Sequence, residues 1–393
     1  MVLKIKKDNG FFYLAYCFYI MALMTENIAL DDTHLVKQVC VIISMCILGL
    51  HYIYKINKKH IAIPKMSLFG VALVILCLFV LYLAISTSDY YLIAVILFSV
   101  GLKELDLEEL FQISLIVLAF LTVCIVIFSL VGIIPMVESV RATAYNHGDT
   151  RLGMGFKGGL FLPNIVSYCG CYFYSIKKRV RSLDFFTFQV LGTISFLLCD
   201  SRNGLVSLEL LLILMFFWQT KKRSDKIQKV VKILAVSVFP VTSILSVYLL
   251  NAYKIGTSFS VWANELLSGR LWGAMMNSFA SPFEWIHYET SVSFMENVTY
   301  AYDNGYFYLM ARYGYLMLII FSVMSIFIGK YMISKDNYAA AISFTIVCLM
   351  NFIDNGLISY GFFPYVLIGI YSMYRATAEI TNRYKLRSRK KSN

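Results

Sequence analysis

Runs of about 20 predominantly apolar residues recur along this chain from end to end, and no other feature constrains its fold as strongly. A run of that length cannot be left in water, and inside a bilayer a helix satisfies its own backbone hydrogen bonds. Charged residues make up 15% of the chain, against about 25% in soluble domains, and the mean hydropathy is +0.70. The expected fold is therefore all-α: a polytopic integral membrane helical bundle in one domain, residues 1–393.

Twelve apolar segments can be drawn, at 11–29, 35–54, 66–86, 89–102, 109–132, 159–176, 183–199, 204–219, 231–251, 305–329, 337–353 and 357–374. The fourth is the shortest. Lys4 to Lys7 followed by Phe11 to Met24 has the form of a signal, but no Ala-x-Ala cleavage site follows. A retained signal-anchor helix is expected. Lysine and arginine concentrate in alternate connections and in the tail from Arg375. By the positive-inside rule those stretches, with both termini, face the cytoplasm. The net charge of +12 therefore tracks one membrane face, which excludes nucleic acid as the partner and leaves the lipid bilayer. The nine cysteines lie in or beside apolar segments, as small packing residues do.

Two outer connections are long, 132–158 and 251–304, and ordered loops of that length are usually functional. In the second, between the ninth and tenth segments, Trp262, Leu266, Trp272, Met275 and Met276 recur at roughly helical spacing. An amphipathic helix lying on the bilayer surface is expected there. Walker A, His-Glu-x-x-His and Gly-x-Ser-x-Gly patterns are absent. Gly153-Met-Gly155-Phe-Lys-Gly158 matches Gly-x-Gly-x-x-Gly, but it follows a polar loop rather than a strand and so does not read as a dinucleotide site. Asp31-Asp32-Thr33-His34 reads as a solvated acidic loop rather than a metal site.

Five arginines fall on the outer side, where arginine is normally scarce: Arg141, Arg151, Arg202, Arg270 and Arg312. Four of them sit in local patterns. Arg151 precedes a glycine-rich stretch that leads to Pro163-Asn164. Asp200-Ser201-Arg202-Asn203-Gly204 forms a very short turn. Ser268-Gly269-Arg270-Leu271-Trp272 lies in the large loop. Asp303-Asn304-Gly305-Tyr306 opens the tenth segment, with Arg312 two turns on. Arg312, inside an apolar segment, requires Asp303, Asp354, a carbonyl or a ligand phosphate as partner. A guanidinium binds phosphate bidentately and stays charged at any pH, so an arginine cluster suits a pyrophosphate leaving group. Asp303 is the expected general base, with Glu284, His287 and Glu289 as alternatives. Asp303 or Asn304 also has the residue type of a helix cap. Tyr288, Tyr300, Tyr302 and Tyr306 cluster near the same mouth, as interface anchors or as platforms for sugar rings.

The order of these patterns resembles the O-antigen ligase and polysaccharide polymerase superfamily, and most closely the Wzy-type polymerases of oligosaccharide repeat units in capsule, exopolysaccharide and O-antigen synthesis. The resemblance runs over most of the chain. It implies a glycosyltransferase that works without a metal or other cofactor, at the outer face of the bacterial cytoplasmic membrane. Its donor is an undecaprenyl-diphosphate-linked oligosaccharide, and a flippase and a chain-length regulator are its implied partners. It implies that Arg202 and Arg270 engage the pyrophosphate with Asp303 as base. Arg151, Asn164, Ser201, Asn304, Tyr306 and Arg312 become the implied substrate-binding residues. The ligases carry a histidine where this chain has Asp303, and the family often has a histidine where this chain has Leu162. Ligase activity is therefore the less expected outcome. The alternative class is a transporter, such as a flippase of the same lipid-linked sugars, which calls for repeat symmetry and a charged central cavity.

Overall fold

Helices begin where a short polar side chain can take up the first free backbone amides. Asp89 accepts from the amide of Tyr91 at 2.8 Å and Asp106 from that of Glu108 at 3.2 Å. Asn304 accepts from Tyr306 and Phe307 at 2.9 and 3.1 Å, and Asn337 from Ala340 at 2.9 Å. The computed structural model describes residues 9–30, 33–57, 68–101, 106–140, 150–177, 180–220, 224–287, 289–290, 293, 296, 302–354, 356 and 359–376.

In chain order the helices are α1 (Gly10–Thr25), α2 (Thr33–Asn57), α3 (Leu68–Ser86), α4 (Tyr90–Val100) and α5 (Leu107–Leu130). A two-stranded antiparallel hairpin follows, β1 (Glu138–Val140) with β2 (Thr150–Leu152). Then come α6 (Phe161–Ile176), α7 (Ser182–Cys199), α8 (Arg202–Thr220), α9 (Asp225–Ile255), α10 (Ser258–Leu266) and α11 (Arg270–Ala280). The last are α12 (Gly305–Tyr313), α13 (Tyr315–Ser334), α14 (Tyr338–Ile353) and α15 (363–376).

Six helices, α2, α5, α7, α8, α9 and α13, are long and apolar enough to cross a membrane. Helices α1 and α14 and the part of α3 from Val74 are apolar but shorter. Helix α4 has 11 residues; at about 1.5 Å per residue it covers roughly half of a 30 Å hydrocarbon layer. The protein is thus a helical bundle of membrane type, with six long apolar helices where twelve spans are expected. Its outer faces carry Ile42, Phe120, Leu197 and Ile244, each more than half exposed. Such a surface suits lipid rather than water. Inside, α6 packs on α5, α7, α8 and α14, while α9 packs on α13 and α14. Buried rings from separate helices, Phe111 with Tyr172 and Phe344 with Tyr365, hold the centre.

Two expectations are corrected. The apolar segment 305–329 is not one helix. It breaks at Gly314, between α12 and α13, where φ is +88°. The loop at 284–287 lies across the break: the amides of Tyr315 and Leu316 donate to the carbonyls of Glu284 and Trp285 at 3.0 Å each, and the amide of His287 donates to the Tyr313 carbonyl at 3.3 Å. A Cβ at Gly314 would stand 2.6 Å from the Trp285 carbonyl oxygen. Gly314→Ala is therefore expected to cost at least about 1–3 kcal/mol, read as a lower thermal transition in detergent. Gly256→Ala, with a similar φ but open space around it, should lower the transition less.

The second correction concerns the surface helix. The apolar stripe of the large loop lies on two helices, α10 and α11, separated by a turn in which Ser268 and Gly269 both take positive φ. Phe259, Trp262, Leu266, Trp272 and Phe279 are all exposed along them. The apolar face survives the division, and the turn places Arg270 at the start of α11.

Candidate active site

The site begins with the hairpin. Arg151 pairs with Ser139 across β1 and β2. The glycine-rich turn follows strand β2 directly, not the polar loop expected, and is tied to the connection between α1 and α2: the amide of Ala29 donates to the Gly155 carbonyl and that of Lys157 to the Asn27 carbonyl, both at 2.9 Å. The chain then passes at Gly159 between Arg151 and the end of α7. There an added Cβ would stand 2.8 Å from both the Arg151 Cβ and the Cys199 carbonyl oxygen.

Helix α7 ends at Asp200, which takes a left-handed conformation at φ +47°. Two residues later Arg202 opens α8. The first turn of α8 lies directly on the first turn of α6, because Gly204 abuts Pro163 and the Ser167 hydroxyl donates to the Gly204 carbonyl at 2.6 Å. Asn164 sits in that same turn of α6, and its amide donates to the carboxylate of Asp354. The Asp354 carbonyl accepts from the amide of Gly305 at 3.1 Å. The Asn304 amide donates to the Phe352 carbonyl at 2.7 Å. One hydrogen-bonded scaffold thus joins the starts of α6, α8 and α12 to the end of α14.

Asp303 stands at this scaffold. The Nε of Arg270 lies 3.8 Å from its Oδ2, with the two side chains 12% and 39% exposed. Arg270 is steadied by donating to the Leu267 carbonyl at 2.7 Å. Partial burial raises the Asp303 carboxyl above the ordinary aspartate value, while the guanidinium groups of Arg270 and then Arg151 pull it down; burial wins. Arg151, Arg270 and Asp303 are therefore brought together from three separate parts of the sequence. Arg202 is exposed and makes no ion pair among the described residues. Ser201 is fully buried beside it. The Ser201 hydroxyl, both polar side-chain atoms of Asn203 and the Asn164 carbonyl oxygen find no hydrogen-bond partner among the described residues. Polar atoms withheld from water in this way are costly unless a ligand takes them up.

Other expected residues go elsewhere. Arg312 pairs with Asp89 at 3.1 Å, not with Asp303 or Asp354, and it donates to the Tyr308 hydroxyl at 3.2 Å. Tyr306 is fully buried; its hydroxyl donates to the Cys348 carbonyl at 2.9 Å and meets the Thr242 hydroxyl at 2.7 Å. That places Tyr306 in the core between α9, α12 and α14. Asn304 acts as the N-cap of α12. His287 lies between two carboxylates, 3.9 Å from Glu284 and 3.5 Å from Glu289. Arg141, Tyr288, Tyr300, Asp31 and Asp32 lie outside the described residues.

Sequence reasoning gave no site role to Asp89 and treated Asp354 only as a partner for Arg312. Each is an acid beside an apolar segment, a weak signal shared with ordinary caps. Among the described residues no group of three or more His, Cys, Asp or Glu side chains could hold a metal ion. No protein-family model, characterised protein or solved structure matches the chain.

Proposed function

We propose that this protein is a Wzy-type polymerase of lipid-linked oligosaccharide repeat units. It would act at the outer face of the bacterial cytoplasmic membrane, with twelve spans and both termini cytoplasmic. The observation that carries this reading is the approach of Arg270 to Asp303 at 3.8 Å, with the Arg151 charge also acting on that carboxylate and the turn that bears Arg202 beside Arg151. Guanidinium groups gathered around one carboxylate at a helix-bundle end suit a diphosphate leaving group with a base next to it.

In the proposed reaction a hydroxyl of the acceptor sugar attacks the anomeric carbon of the donor glycan. The new carbon–oxygen bond forms as the bond from the anomeric carbon to the phosphate oxygen breaks. The hydroxyl proton passes to Asp303. Undecaprenyl diphosphate departs with the bonding electrons, and its charge is met by Arg202 and Arg270, with Arg151 alongside. Direct displacement inverts the anomeric centre.

Deleting the gene tests the reading. A polymerase null should accumulate single repeat units on lipid at the outer face. Units trapped on the cytoplasmic face would instead identify a flippase, and complete chains that fail only to reach their final acceptor would identify a ligase.

The electrostatics add a pH test. A base works deprotonated, so turnover should fall as pH drops through the Asp303 pKa, which lies above the ordinary aspartate range. Arg151 holds that pKa down, so Arg151→Ala should move the acid limb of the rate profile to higher pH. An acid limb that stays in place in Arg151→Ala would remove Asp303 as the base.

A further inference from the structure

Beside the arginine cluster lies a separate cavity of about 560 Å³ between α1, α2, α6 and α12, within the range of roughly 300–1,000 Å³ usual for small-molecule sites. Five tyrosines line it: Tyr19, Tyr91, Tyr168, Tyr308 and Tyr360. Among the described residues its lysine and its arginine are each matched to an acid. Lys37 pairs with Glu26 at 2.8 Å and Arg312 with Asp89 at 3.1 Å. Asp354 adds a further carboxylate and Asn164 an amide. The Asn164 Oδ1 is buried on this wall with no partner among the described residues.

The chemistry differs from that of the arginine cluster. Two guanidinium groups acting on Asp303, with the turn that bears Arg202 beside them, favour a multiply charged anion. A cavity whose cations are already neutralised does not. Tyrosines, which join an apolar ring to a hydroxyl, line the wall together with carboxylate and amide groups, and such a lining matches a ligand that is apolar on its ring faces and polar around its edge. A sugar ring is such a ligand. The two regions also adjoin. Asn164 lines the cavity, and its neighbour Pro163 abuts Gly204, two residues beyond Arg202.

We propose that this tyrosine-lined cavity is the glycan subsite, holding the acceptor oligosaccharide with Asn164 and Asp354 on its hydroxyls, while the arginine cluster holds the diphosphate. The assignment rests on the polymerase reading. It makes Arg312 and Lys37 parts of a sugar-binding wall rather than phosphate ligands.

The test uses the full chain in lipid nanodiscs and, as probe, the free oligosaccharide released by mild acid from the lipid-linked repeat units of its own cells. Saturation-transfer NMR should show sugar protons in contact with the protein, and inorganic pyrophosphate should not compete. The signal should persist in the Arg202→Ala/Arg270→Ala double variant. It should weaken by more than about tenfold in affinity in Val41→Trp, which fills the cavity from its wall, and in Asp354→Asn, which preserves shape and alters one hydrogen-bonding group. Wild-type oligosaccharide binding in both Val41→Trp and Asp354→Asn would overturn the subsite. So would loss of binding in the arginine double variant with those two intact, or absence of oligosaccharide binding in a protein that still polymerises. Each of these leaves the polymerase reading standing. Conversely, unchanged polysaccharide output after deletion of the gene would remove that reading, and cavity-dependent sugar binding would then show a glycan site without an acceptor role.

Discussion

Arg270→Ala is expected to lower the rate of glycan transfer by about 10²–10³-fold, the usual loss when one donor to a developing anionic charge is removed. The guanidinium is already held in place: one nitrogen donates to the Leu267 carbonyl, and Nε faces Asp303. It is largely buried, so little water competes with a phosphate for it, and its charge acts through a less polar medium than bulk water. The loss should fall on kcat rather than on KM, because the leaving group gains negative charge only as the glycosidic bond breaks. Arg270→Lys should recover part of the rate but not all, since an ammonium cannot grip a phosphate through two parallel bonds. The measurement is polymerisation of purified lipid-linked repeat units by nanodisc-embedded protein, with the thermal transition recorded beside it. Full-length polysaccharide from a correctly inserted Arg270→Ala protein would eliminate the proposed role. Asp303→Asn should be at least as damaging to rate, and normal turnover there would pass the base assignment to the group at His287, Glu284 and Glu289.

Arg312→Ala should act in the opposite way, on stability first. Removing one partner of a buried ion pair typically costs about 3–5 kcal/mol, because the remaining charge is left unpaired and largely screened from bulk water. The Asp89 and Arg312 side chains are only 11% and 10% exposed. Asp89 also receives the hydroxyl of Tyr313 and the amide of Tyr91, so it links α12 to the first turn of α4. The expected result is a large fall in the thermal transition and in the amount of folded protein in membranes. Asp89→Asn in the Arg312→Ala background should restore part of the loss by removing the stranded carboxylate, and the double-mutant cycle should show coupling of more than about 1 kcal/mol. Arg202→Ala is the contrast. Its side chain is exposed, so stability should change by less than about 0.5 kcal/mol. A cycle with no coupling between Asp89 and Arg312 would show that the pair does not hold α4 to α12.

These contrasts separate residues that looked alike in sequence. Arg151, Arg202, Arg270 and Arg312 share a residue type and an expected side of the membrane. Only Arg151 and Arg270 act on Asp303. Their positions were legible because each sits beside glycine or in a short turn, where the local chain decides where the side chain begins. Arg312 was legible as needing a partner, since an arginine inside an apolar helix cannot stay alone. Which acid it meets was not legible. Asp89, Asp303 and Asp354 all stand at helix ends, and choosing among them depends on how α4, α12 and α14 are placed in space. Tyr306 was misleading for a related reason. It lies two residues after Asn304 in a polar pattern, yet those two helical positions, just over half a turn, rotate it into the core against Thr242 and Cys348.

The break at Gly314 shows the same limit. Apolar residues continue on both sides of it, so neither hydropathy nor periodicity marks a boundary. The boundary is made by the backbone of 284–287, which supplies carbonyls to the two amides that would otherwise continue the helix. The divided surface helix is a milder case, because Ser268 and Gly269 are ordinary turn residues whose positive φ values appear only once the chain is folded.

By itself the sequence determined that the protein is helical and built for a membrane. It also determined that one set of connections is basic, and that polar patterns gather in the other set. Those properties follow from the free energy of each segment in lipid or water, which depends on composition and needs no knowledge of neighbours. The tertiary structure decided which arginines share a carboxylate, which one serves the scaffold, and where a tyrosine-lined cavity opens beside them. Those outcomes depend on distances between segments far apart in the chain, and ion pairing, burial and cavity shape change over a few ångströms.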